Sequence, residues 1–183
     1  FNAGSSRDCL RFRGDNERLH FFTGEATTAG LATNRVFRDT TAWMHIVCAV
    51  DTTQSTAANR VKLYVNGTQE TSFAVTNYPA EDYTNVINSA VENRIGKASN
   101  QYDEYFGGYM AEVFFIDGQQ LTPTSFGEYD EDSPQIWKPK DCKDDLTFGN
   151  NGFYLDFEDS SNLGNDANGG TDFTETNLAA AHQ

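Results

Sequence analysis

The chain has 183 residues, with 27 acidic against 13 basic side chains, a formal net charge of −14 and 13% aromatic residues. A field of that sign repels phosphate backbones and anionic membranes, which sets nucleic-acid binding and membrane insertion aside. The length suits a single domain with a sizeable core, and no apolar stretch approaches a membrane span.

In chain order, Phe1-Asn2-Ala3-Gly4 reads like the interior of a domain. The chain is therefore expected to be a piece of something longer, with any targeting information lying outside it. Arg7 to Arg13 and Arg18 to Phe22 predict a hairpin turned by Gly14-Asp15-Asn16-Glu17. Its corner spells Arg13-Gly14-Asp15, a tripeptide known for integrin recognition, which turn chemistry explains without a function. Thr23 to Thr33 reads as a Gly/Ala/Thr loop, and Asn34 to Asp39 as a short strand.

The most legible stretch follows. Trp43 to Asp51 is apolar at nearly every position, the pattern of a strand buried on both faces. Arg60 to Asn66 alternates, with Val61, Leu63 and Val65 on one side and Lys62 and Tyr64 on the other, as in a strand with one wet face. Asn66-Gly67 closes it as a type I′ turn, and Thr68 to Phe73 is expected to return as the next strand. Thr52 to Asn59 is a polar loop lengthening the connection between the first two.

Asn77 to Asn88 and Asn100 to Gly108 read as long loops, separated by a short strand within Glu92 to Ser99. Tyr109 to Asp117 predicts a nearly continuous apolar strand. Thr122-Pro123 opens one helical turn through Phe126. Glu128 to Ser133 is an acidic run, and Ile136 to Asp145 is expected as surface loop. Gly152 to Glu158 alternates cleanly, placing Phe153, Leu155 and Phe157 on one face and Tyr154, Asp156 and Glu158 on the other. A polar Asp/Asn/Gly loop from Asp159 to Asp172 follows.

The three cysteines, Cys9, Cys48 and Cys142, are an odd count without metal-ligand spacing, so at most one intramolecular bridge is expected. Cys48 is expected as a small core residue. His20, His45 and His182 do not cluster, and His45 is expected as a hydrogen-bonded core residue.

Three chemistries are worth weighing. Asp156 and Glu158, two strand residues apart, would lie ~6.6 Å from each other, a spacing at which paired carboxylates hydrolyse glycosides. Acids on the wet face of a strand are the competing explanation. Glu112, flanked by Met110 and Phe114, is expected to be a buried carboxylate paired with Arg94 or Arg60. Asp156, Asp159, Asp166, Asn168 and Asp172 are hard oxygen donors in and beside one loop, the donor type of a structural calcium site; a solvated polar loop is the alternative.

Glycan recognition needs aromatic platforms beside hydrogen-bonding side chains, because sugar C–H faces stack and hydroxyls need directional partners. Tyr78, Asp82, Tyr83 and Asn85 in one long loop, with Asn100, Tyr102, Asp103 and Tyr105 in the other, supply that mixture. Loops are also where binding residues concentrate.

Taken together, Trp43-Met44-His45-Ile46-Val47, the Leu63-Tyr64-Val65-Asn66-Gly67 hairpin, Arg94-Ile95-Gly96 and the Gly108 to Asp117 strand with Leu121-Thr122-Pro123 resemble a laminin G-like, concanavalin A-type domain over 40–130. The Trp137-Lys138-Pro139-Lys140 and Gly152-Phe153-Tyr154-Leu155-Asp156-Phe157 segments resemble domains of this type in structural proteins of aquatic bacteriophages. Asp166-Ala167-Asn168-Gly169-Gly170-Thr171-Asp172 is similar to a loop of the family, with Thr171 and the shortened Gly pair as departures.

The resemblance implies an all-β jelly roll of two antiparallel sheets over residues 1–150, its opening strands upstream of Phe1, and a final strand and tail over 151–183. It implies a non-enzymatic module of a virion or extracellular surface that adheres to host or surface glycans. The partners implied are that glycan, neighbouring virion or surface subunits, and copies of itself in a homo-oligomer. A purely structural fibre or decoration subunit is the alternative. The fold also houses laminarinase-type glycosidases, but the nearest segment to their carboxylate motif, Glu128-Tyr129-Asp130-Glu131-Asp132, lacks the final Glu.

Overall fold

The computed structural model describes residues 2–3, 8–24, 30–99 and 102–179, the side chains of 2–3, 98–99 and 102–104 excepted. The strands in chain order are β1 (Asn2–Ala3), β2 (Cys9–Arg13), β3 (Arg18–Phe22), β4 (Gly30–Val36), β5 (Ile46–Val50), β6 (Val61–Val65), β7 (Thr68–Gln69) and β8 (Phe73–Asn77). They continue as β9 (Asn93–Arg94), β10 (Lys97–Ser99), β11 (Tyr102–Tyr105), β12 (Val113–Phe115), β13 (Gly127–Tyr129), β14 (Trp137–Pro139) and β15 (Phe153–Leu155). Among the described residues helix is confined to α1 (Ala57–Arg60) and two 3-10 turns, Pro123–Ser125 and Lys143–Asp145. No helix among the described residues is long and apolar enough to cross a membrane.

The chain divides into two compact units, 1–107 with 120–141, and 108–119 with 142–183. The first is an antiparallel sandwich. One sheet runs β8-β4-β3-β2-β1-β9 and the other β5-β6-β7. The β2–β3 hairpin pairs Cys9 with Phe22 through to Arg13 with Arg18, and its turn closes where the Glu17 amide donates to Arg13 O at 2.7 Å.

The core follows from the period of two along β3 and β6. Leu19 and Phe21 point inward from β3 and Leu31 from β4, meeting Val61, Leu63 and Val65 from β6, all at most 2% exposed. Each such side chain contributes about 2 kcal/mol by leaving water.

Several expectations need correction. The segment assigned to a loop before Thr33 holds most of β4, because pairing with both β3 and β8 orders a Gly/Ala/Thr stretch of weak intrinsic strand preference. The first strand of the central hairpin begins at Ile46, after Trp43, and only Ala49 in it is fully buried, since among the described residues β5 pairs with β6 alone. The return after Asn66-Gly67 is only β7; the chain then leaves for the opposite sheet, where β8 pairs with β4. Trp137–Pro139 is a strand within the expected loop, and its partner Gly127–Tyr129 takes up the start of the acidic run.

In the second unit β12 pairs with β15 in register Val113↔Leu155 to Phe115↔Phe153. The Phe114 and Tyr154 rings stack at 4.3 Å between centroids, and Phe153 meets Phe173 edge-on at 4.7 Å. The long strand expected over Tyr109 to Asp117 is thus three residues. Glu112 precedes it at φ 54°, exposed, and accepts the Tyr154 hydroxyl proton instead of pairing with an arginine. Burial, then that bond, pushes the Tyr154 pKa up.

Candidate functional site

Asn66 and Gly67 take φ values of 49° and 78°, the left-handed pair that the turn requires. The turn is locked by reciprocal bonds: the Asn66 amide donates to His45 O at 2.9 Å, and the His45 amide donates to Asn66 Oδ1 at 2.8 Å. Trp137 lies flat against it. A Cβ on Gly67 would stand 2.4 Å from the Trp137 ring and one on Gly127 2.8 Å, so both positions need glycine to admit the indole. Trp137 Nε1–H donates to His45 Nδ1 at 2.9 Å, and the two rings stack at 5.8 Å. An indole N–H only donates, so His45 is neutral with its proton on Nε2; burial lowers the His45 pKa and favours the same state.

On this brace sits a pocket of about 170 Å³ lined by Arg35, Phe37, Arg38, Asp39, Trp43 and Asn66, among others. Trp43 is 68% exposed, and its ring is engaged by no other ring or polar group among the described residues. Asp39 shapes the loop through Oδ1, which accepts the Thr41 amide at 2.9 Å and hydroxyl at 2.7 Å. Those bonds hold its carboxyl below the usual range. Arg38 Nε pairs with Glu17 Oε2 at 2.5 Å and Arg35 Nη1 with Glu70 Oε1 at 3.1 Å. The Arg35 guanidinium also lies 5.0 Å from the Phe37 ring centre, which Phe12 supports edge-on at 5.2 Å. The pocket thus combines an exposed indole face with carboxylate, guanidinium and amide groups, the pairing that sugar rings need.

The long loop named from the sequence is held differently. Asp8 is fully buried and accepts the Gly24 amide at 3.0 Å, the Tyr83 hydroxyl at 3.3 Å and the Val86 amide. Tyr78 packs against the core. Thr52 accepts the Asp82 amide at 2.9 Å and donates its hydroxyl to Tyr83 O at 2.8 Å. Asn85 Oδ1 is buried without a hydrogen-bond partner among the described residues. In the second loop Asn100 lies outside the described residues, and Tyr102 and Asp103 stand on β11 with side chains that are not described. Tyr105 is 60% exposed, with Lys97 Nζ 4.8 Å from its ring centre.

The oxygen donors of the tail are drawn into the backbone. Asp166, 4% exposed, accepts the amides of Tyr154, Asn168 and Gly170 at 2.9, 3.0 and 3.0 Å. Asp172 accepts the Asp166 amide at 3.0 Å and Asn162 Nδ2 at 2.9 Å. Asp159 Oδ1 takes the Ser161 amide and hydroxyl, and Asp156 Oδ1 takes the Glu158 amide at 3.1 Å. These bonds engage both carboxyl oxygens of Asp166 and Asp172 but only Oδ1 of Asp156 and Asp159. Among the described residues no group of three or more His, Cys, Asp or Glu is placed to hold a metal. Asp156 and Glu158 also do not share a strand, because β15 ends at Leu155 and Phe157 takes φ 59°.

No disulfide joins Cys9, Cys48 or Cys142. Cys48 packs against the core as expected, and burial pushes its thiol up to about 12.

Sequence reasoning missed the pocket by placing Trp43 inside a buried strand. A signal was present: Thr40-Thr41-Ala42 after Asp39 is turn chemistry and puts Trp43 at the end of a loop.

Comparison with known proteins agrees with this fold. No curated protein and no solved structure matches the chain significantly. A family model described as the concanavalin A-like lectin/glucanases superfamily matches residues 2–124. Membership there fits a carbohydrate-binding or a structural module. With two thirds of its length matched and its strands arranged as antiparallel sheets, the chain belongs to the concanavalin A-like lectin/glucanase superfamily.

Proposed function

We propose that the chain is a non-catalytic module that adheres to glycans, displayed on a virion or another extracellular surface. The observation that carries this reading is the exposed Trp43 face beside Asp39, Arg38 and Asn66 in one pocket. A pyranose stacks its C–H face on an indole, while its hydroxyls donate to a carboxylate and accept from guanidinium and amide N–H groups. The resemblance to phage structural domains supports the setting, with surface glycans and neighbouring subunits as partners. Asp156 and Glu158 are given no catalytic role, since Asp156 is engaged in a local turn with the Glu158 amide.

The test is a glycan array probed with the intact chain and with Trp43→Ala. The proposal expects a defined set of glycans to bind the parent chain and to lose at least about tenfold in affinity with the variant, since an aromatic stacking face contributes about 1 kcal/mol or more beyond its area. A parent chain that binds no glycan but forms a stable oligomer or docks onto other subunits would replace this reading with the structural one.

A further inference from the structure

We infer that the glycan taken by the Trp43 pocket is uncharged, a neutral hexose or N-acetylhexosamine residue, and that sugars carrying a carboxylate or sulfate are rejected. This rests on the glycan reading above and narrows it to a ligand class.

Two arginines in a lining invite the opposite conclusion, because guanidinium groups commonly clamp carboxylates and sulfates in bidentate fashion. Here each is already matched. Arg38 uses Nε on Glu17 Oε2 at 2.5 Å, and Arg35 uses Nη1 on Glu70 Oε1 at 3.1 Å. Asp39 adds a third carboxylate, held ionised by the Thr41 bonds and itself in the lining. The lining thus holds Arg35, Arg38 and Asp39, with the carboxylates of Glu17 and Glu70 outside it neutralising the two guanidiniums, inside a chain of net charge −14. An incoming anion meets guanidiniums already paired with carboxylates, the Asp39 carboxylate beside them, and at long range a field of its own sign that is strongest at low salt.

What the same groups offer a hydroxyl is different. The Thr41 bonds both fall on Asp39 Oδ1, and with the Ala42 amide also drawn to this exposed carboxylate its four lone-pair sites still leave capacity to accept from a sugar hydroxyl. Arg38, 73% exposed along its side chain, keeps N–H groups beyond the Nε that Glu17 takes, and these donate to hydroxyl oxygens. The apolar share of contact comes from Trp43.

The experiment titrates the intact chain with neutral gluco-, manno- and galacto-oligosaccharides and with carboxylated counterparts, oligogalacturonate and sialyllactose, at low and high salt. The expected result is that a neutral sugar binds with an affinity that salt does not change. Its carboxylated counterpart should bind at least about fivefold more weakly at low salt, with the gap narrowing as salt rises. A chain carrying both Glu17→Gln and Glu70→Gln, which releases the two guanidiniums, should shift the preference toward the carboxylated sugars. Preferential binding of the carboxylated sugars by the parent chain, weakening with salt, would overturn the inference and leave the glycan reading standing. No binding of either class at either salt would overturn the glycan reading itself, and this inference with it.

Discussion

Loops 37–44 and 77–88 belong to the same sandwich and carry similar residues, an aspartate beside aromatics, yet they use them in opposite directions. In 77–88 the organising carboxylate is Asp8, fully buried, and the loop's Tyr83 hydroxyl and Val86 amide turn inward to satisfy it. In 37–44 the carboxylate is Asp39 on the surface; it takes only its own loop's donors, and Trp43 stays 68% exposed. A buried charge consumes the polar capacity of whatever surrounds it, because each unmatched donor or acceptor there is costly. The loop built on an exposed Asx turn keeps its capacity for a ligand. Composition alone does not separate a scaffold loop from a binding loop; the depth of the anchoring carboxylate does.

The largest effect expected from this contrast is at Asp8. Asp8→Ala strands the Gly24 and Val86 amides, each worth about 1–3 kcal/mol when left unpaired in the interior. A loss of about 3–5 kcal/mol is expected in urea unfolding, read from the midpoint at unchanged slope. A loss under about 1 kcal/mol would mean that the loop holds itself without the carboxylate.

Gly67→Ala is expected to be next. A Cβ there meets the Trp137 ring at 2.4 Å, and φ is 78°. About 2 kcal/mol of stability should go, together with part of the sugar affinity, since Asn66 of that turn lines the pocket. Unchanged stability would show the turn and indole to be independent.

A smaller effect is expected from pH. The His45 pKa is lowered from 6.5 by burial, so the unfolded chain binds that proton more readily than the folded one. Its contribution is therefore complete above 6.5 and lost as pH falls toward the folded value, the direction in which stability rises with pH. Urea midpoints measured from about pH 7.5 down to 5.5 should fall more steeply for the parent chain than for His45→Gln. His20, whose pKa is also lowered, is present in both and cancels. Parallel profiles would remove His45 from the brace.

The smallest expected effect on stability is from Asp39→Ala. Its midpoint should equal that of the parent chain while sugar binding weakens. A clear loss of stability would erase the distinction between the two loops.

How much of this was legible in the sequence depends on the range of the interaction involved. The Arg13 to Arg18 turn, the Asn66-Gly67 turn and the Pro123 3-10 turn were readable because each is decided by a few adjacent residues. Val61, Leu63 and Val65 were readable because burial alternates along one strand. β4 was not, since Gly30-Leu31-Ala32-Thr33 is ordered by partners on both sides and not by its own preference. β14 was hidden behind Lys138-Pro139-Lys140, with its pairing to β13 invisible locally. Asp8 gave no local sign at all, since its contacts to Tyr83 and Val86 span 75 and 78 residues. Trp43 was misplaced for a related reason: an aromatic next to Met44, His45 and Ile46 reads as part of their strand, and only the Asp39 turn before it sets it on the surface.

The most direct measurement uses the fact that the chain has two tryptophans, one exposed at the pocket and one packed in its brace. Intrinsic fluorescence is followed while a neutral oligosaccharide chosen from the array is titrated in, for the parent chain and for Trp43→Phe. A saturable blue shift in the parent, absent in Trp43→Phe while that variant unfolds at the parent's urea midpoint, is the predicted result. A Trp43→Phe chain that binds the same sugar with undiminished affinity by calorimetry would contradict the assignment of the site.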